Sequence, residues 1–191
     1  MHNPLLATWN APYGLPPFAE TRPEHFGPAF AAAFTEHHAE LDAIAGNPEP
    51  ATFANTIAAF DRAGWKFVRF GEMFWNLSAA HTSPALEAVE RELAPKIAMH
   101  QSAVYMHQTL FSRIDTVVNS AEMQLLADED RRLAERVHLD FVRQGARIAA
   151  DQRERYAAIV GQLATLCTQF SQNVLKDETD WVLWLEDEAS R

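Results

Sequence analysis

Cysteine occurs once, at Cys167. One thiol closes no internal disulfide and builds no cysteine-based zinc site, so the chain suits a reducing compartment and a cytoplasmic location is expected. Positive charge is also short: 16 Lys and Arg stand against 26 Asp and Glu, for a formal net charge of -10. The basic footprint that a phosphate backbone requires is missing, which excludes nucleic acid as the expected partner. No glycine- or serine-rich linker and no internal repeat divides the chain, and residues 1–191 read as one unit. The opening MHNPLLATWNAPYGLPPF has no basic segment leading into a continuous apolar stretch, so it does not read as a secretory signal. Charge disappears for twenty residues from Tyr156 to Leu175, the length of a membrane span. That run carries Gln162, Thr165, Thr168, Gln169, Ser171, Gln172 and Asn173, whose polar groups hydrocarbon would leave unsatisfied. It reads as a buried helix of a soluble protein, and no membrane partner is expected.

What the chain does contain is helical periodicity. Residues 1–22, with Pro4, Pro12, Pro16 and Pro17 among Trp9, Tyr13 and Phe18, read as an irregular arm lying on the body of the protein. Apolar residues then recur at three- and four-residue steps from Pro23 to about Ala45, where Gly46-Asn47-Pro48 ends the helix. Thr52 is placed to cap a second helix running to about Ser78, and Ser83-Pro84 to start a third. Pro95 is expected to kink or split that third helix near Leu93, before it resumes to about Val118. Further helices are expected over Glu129–Gln144, with Gly145 as the C-terminal stop, and over Ala149–Lys176. Only the tail from Trp181, residues 181–191, has strand character, and a lone strand needs a partner from elsewhere. The expected fold is all-α, a bundle of about five or six long helices with a strand-like tail.

Catalytic chemistry is hard to find in these residues. There is no G-x-S-x-G elbow, no phosphate loop and no dinucleotide fingerprint. Cys167, among Leu163, Leu166 and Phe170, reads as an inert core thiol. The stretch FTEHHAEL at 34–41 has the residue types of a zinc helix, but a helix-borne pair needs histidines four apart, and His37 and His38 are adjacent. His37 falls in the centre of the stripe formed by Phe30, Ala33, Leu41 and Ile44 and is expected to be buried; His38 falls at its edge. His100 and His107 share a face but stand two turns apart, about 10 Å along the axis, too far for one ion. His81 lies in a loop beside Thr82 and Ser83, and His2, His25 and His138 have no fellow ligands nearby in sequence. A weaker alternative is a metal site built from His37, Glu40 and His100. No catalytic, cofactor-binding or metal residue is assigned.

Consecutive phrases carry more information than single residues. "PEHFGPAFAAAFTEHHAELDAIAGNPEPATFANTIAAFDRAG", "NLSAAHTSPALEAVERELAPKIAMH", "FVRQGARI" and "LATLCTQFSQNVL" together resemble the N-terminal helical region of the zinc metallopeptidases related to thimet oligopeptidase, including the peptidyl-dipeptidases and oligopeptidases A. The resemblance runs over nearly the whole chain. It implies a much longer, mostly helical parent enzyme, in which zinc held by an H-E-x-x-H helix and a downstream glutamate activates water to cut short peptides. None of those ligands is in this sequence, so the resemblance implies an inactive N-terminal region that walls a substrate channel, with zinc bound only in the parent. Its expected partners are the missing C-terminal catalytic region and, in the parent, short peptides. The apolar tail at 181–191 fits this, as a strand whose sheet lies in the missing part. The alternative is a stand-alone helical module that binds peptides or proteins.

Overall fold

The computed structural model describes residues 2–184. Among them there is no strand; helices dominate, six of them eleven residues or longer. The first, α1, spans Phe26–Ala45. A short five-residue helix, α2, spans Ala58–Arg62 and continues from a π-type turn at Phe53–Ile57. Then come α3 at Trp65–Ala80, α4 at Pro84–Tyr105, α5 at Gln108–Val118, α6 at Asp128–Arg143 and α7 at Arg153–Asp180.

Local chemistry explains most of the boundaries. Thr52 Oγ1 accepts a hydrogen bond from the Asn55 amide at 3.2 Å, and Asn55 Oδ1 accepts from the Thr52 amide at 2.9 Å. Two donors without helical partners are thereby satisfied at once. Ser83 Oγ does the same for the Leu86 amide at 3.2 Å, with Pro84 pre-set for the first turn. At the end of α6 the amides of Gly145 and Ala146 turn back to the carbonyls of Val142 and Phe141. That is a Schellman closure, with Gly145 at φ 110° where a side chain would be strained.

Two breaks fall elsewhere than the sequence suggested. The second expected helix is interrupted at Ala63–Gly64, where Gly64 takes φ 73° and α3 starts afresh. Conversely α4 runs through Pro95, and the split comes at Met106–His107. Leu93, Ala94 and Ile97 are buried around the proline, and this packing offsets the hydrogen bond it removes. At the real break His107 leaves helical geometry and its Nδ1 accepts from the Leu110 amide at 3.2 Å, capping α5.

The core has two parts. One gathers Leu5, Phe26, Phe30, Phe70, Phe74, Leu86, Leu93 and Ile97 from the arm, α1, α3 and α4. The other gathers Leu41, Ile57, Leu110, Ile114, Val117 and Phe141 from α1, the 53–57 turn, α5 and α6. Helix α1 serves both, its first half facing one core and its last turns the other. The arm is irregular as expected, and Leu5 and Trp9 pin it to the first core.

Helix α7 departs furthest from expectation. It lies along α4, yet none of its residues is buried. Ile159, Leu163, Leu166 and Phe170 are 51–70% exposed, and Cys167 is exposed rather than enclosed. The helix also runs to Asp180, past Lys176. No strand begins at Trp181: its amide bonds back to the Asp177 carbonyl, and residues 181–184 have no strand neighbour among the described residues. The rest of the expected strand, 185–191, lies outside the described residues.

Candidate functional site

The histidines of FTEHHAEL do meet a third, at the junction of the two cores. Along α1 the buried succession is Ala33, His37, Leu41; along α4 it is Ile97, His100, Ser102, Val104. In each helix the histidine stands where one apolar cluster gives way to the other. His37 Nδ1 lies 3.0 Å from His100 Nε2, and His100 Nδ1 lies 3.2 Å from His38 Nε2. His37 and His38 thus reach opposite nitrogens of one ring, the first from inside and the second from the exposed edge of α1. The sequence placed His37 correctly; the convergence of His38 on the same partner is a correction, arising because α4 crosses beside α1 close enough to be touched from two faces.

The surroundings favour neutral rings. Phe34 stacks on His100 with centroids 4.5 Å apart, and Phe67 lies 5.0 Å from it. Burial first, then the neighbouring His37 and His38, push His100 down to about 4 from an ordinary value of 6.5. His37 is also lowered, chiefly by burial, against the opposing pull of Glu40. With His37 and His100 neutral, one N–H on each suffices to donate along the row toward His38 Nε2.

This row is not laid out to grip an ion. Its nitrogens face one another in pairs across two sides of His100 instead of turning toward a common point. Glu40, the third member of the alternative metal site, is engaged by the Gly64 amide, from which it accepts at 2.7 Å. Among the described residues no group of three or more His, Cys, Asp and Glu is placed to hold a metal. Elsewhere His107 Nε2, at the start of α5, lies 3.2 Å from Asp42 of α1, and His138 Nε2 of α6 lies 2.9 Å from Asp115 of α5. His25 Nδ1 accepts from the Arg22 amide at 3.1 Å. His81 closes α3, and Ser83 caps α4 rather than engaging it.

A groove between the arm and α3 went unread in the sequence. It has a volume of about 390 Å³ and is walled by Trp9, Phe18, Trp65, Val68 and Met73. The Arg69 guanidinium lies 3.7 Å above the Trp9 ring and 5.8 Å from the Trp65 ring. Residues sixty apart in sequence build it, so only the Trp65–Arg69 spacing on one helix face hinted at it.

The described residues form a helical platform. No family model matches the chain. It is 33% identical over 173 residues to the dipeptidyl carboxypeptidase of Escherichia coli strain K12, covering 91% of this chain and 25% of that protein. It is 27% identical over 189 residues to the oligopeptidase A of Haemophilus influenzae, covering 99% of this chain and 27% of that protein. A thimet-like oligopeptidase of Dictyostelium discoideum matches 69% of the chain at 24% identity. The chain spans about a quarter of the length of the curated relatives it matches. It belongs to the thimet-oligopeptidase family and aligns with an N-terminal part of its members.

Proposed function

We propose that this chain is the N-terminal helical part of a zinc-dependent peptidase that removes dipeptides from the C-termini of short peptides, and that its role is to shape access to the catalytic centre. The supporting observation is the 33% identity to a dipeptidyl carboxypeptidase along 91% of the chain. The chain contains no H-E-x-x-H sequence, and its histidine row is unsuited to an ion. Zinc would therefore be held by residues of the longer protein, where it would activate the attacking water. On this reading the 191 residues have no hydrolytic activity of their own, the remainder of the peptidase is their partner, and the protein works in the cytoplasm. No helix of the described residues is long and apolar enough to cross a membrane, which is compatible with that location. The coding sequence after residue 191 tests the proposal. An H-E-x-x-H motif within a few hundred codons supports it, and a stop codon directly after Arg191 overturns it.

A stand-alone peptide-binding module is the second reading, and the groove of Trp9, Trp65 and Arg69 favours it. Aromatic walls suit an apolar side chain, and Arg69 and Glu72 line the same groove as its charged groups. Calorimetric titration with short peptides separates the two readings: micromolar binding lost in Arg69→Ala supports the module.

A further inference from the structure

The outer face of α7 is apolar where solvent should favour polarity. Placed at 100° per residue, Ile159, Leu163, Leu166, Phe170 and Val174 fall within about 80° of one another. All five are exposed, between 38% and 70%. The opposite face carries Ala157, Gly161, Ala164, Thr165 and Thr168, which are half-buried; with Gly161 approaching Met99 of α4, this is the side that packs. One stripe has a partner, and the other has none among the described residues. No charged residue interrupts either stripe from Tyr156 to Leu175. A helix that is apolar on both sides is ordinarily buried on both.

We infer that the Ile159–Val174 stripe is an internal seam, covered by apolar residues of the polypeptide that follows residue 191 in the longer protein. This rests on the reading of the chain as part of such a protein. The size of the stripe favours that occupant over a second copy. From Ile159 to Val174 the helix rises about 22 Å, and a helix is about 10 Å across, so the stripe offers roughly 200–300 Å². A stable dimer needs about 800 Å² per partner. A covalently attached segment needs far less, because the link supplies a high effective concentration. The relatives have the necessary length, since the matched region is only 25–27% of theirs. The neighbouring Trp181 and Trp184, 70% and 83% exposed, extend the apolar surface toward the continuing chain.

Cys167 reports on the seam, because it is the only cysteine in the chain and adjoins Leu163, Leu166 and Phe170 on α7. Native-state alkylation by a maleimide, read by mass spectrometry of the Cys167 peptide, should be fast in the 191-residue protein and at least about tenfold slower in the product of the full reading frame. Equal rates in the two would overturn the seam. A paired variant, L166D/F170D, should leave the melting temperature of the 191-residue protein within a degree or two and lower that of the full product by several degrees. An equal loss in both proteins would also overturn it. So would a 191-residue protein that is dimeric by light scattering and becomes monomeric in the paired variant, because the occupant would then be a second copy. Slowed alkylation in a full-length product that cuts no peptide would support the seam while refuting the functional reading. An active product with Cys167 still fast would do the reverse.

Discussion

Gly64 shows how much one position can settle. Its φ of 73° lies where side chains are strained, and an added Cβ would stand 2.7 Å from His37 Cε1 and 2.9 Å from both ring nitrogens. His37 cannot retreat, since its ring is held by His100 and packed beside Phe67. Gly64→Ala should therefore cost about 2–3 kcal/mol, measured by urea unfolding. Gly145 supplies the contrast. It too has positive φ, but its Cβ would meet Ile148 Cδ1, the far end of a flexible side chain. Gly145→Ala should cost closer to 1 kcal/mol. The histidine row makes a prediction of its own. His100 is lowered to about 4 in the folded protein against 6.5 unfolded, so between those values the unfolded chain binds the extra proton and stability rises with pH. The contribution of His100 is complete above pH 6.5 and falls away, by roughly 3 kcal/mol, as pH drops through 4. His100→Gln should show a shallower stability slope than the parent over that interval. The burial of His37 was legible from its place on the apolar stripe, but the row with His38 was not. Which residue of α4 lies opposite depends on how two helices cross, and periodicity within one helix carries no information about that.

At the scale of elements, caps and stops were readable because their chemistry is local. Thr52, Ser83, Gly46 and Gly145 act on amides and carbonyls within a few residues of themselves. Breaks governed by packing were not readable. Pro95 is a strong local signal that α4 overrides, while the break at Gly64 is set by Glu40 and His37 on another helix. Burial of α7 failed for a similar reason: an apolar stripe says that a face wants a partner, not that the partner lies within these residues. The difference can be measured. Leu41→Ala, in the second core, should cost about 2–5 kcal/mol, whereas Leu163→Ala, on the outer face of α7, should change the stability of the 191-residue protein by less than about 0.5 kcal/mol. Thermal or chemical unfolding of the two variants side by side checks both figures.

The whole molecule is a platform with two cores, joined by α1 and α4 and by the histidine row between them. Composition excluded nucleic acid as an expectation, and periodicity gave the helical class. Family membership was legible only in long phrases, because it resides in the order and separation of many unremarkable positions. The sequence contains no H-E-x-x-H, so spacing arguments had no motif to find. The central claim is that these residues shape a peptidase without performing its chemistry. The most direct measurement is hydrolysis of an N-terminally blocked tetrapeptide by two purified proteins, the 191-residue chain and the product of its complete reading frame, each assayed with and without a zinc chelator. The account predicts that only the longer protein releases a C-terminal dipeptide, and that the chelator abolishes the release. Chelator-sensitive cleavage by the 191 residues alone, or none by the longer protein supplied with zinc, would contradict it.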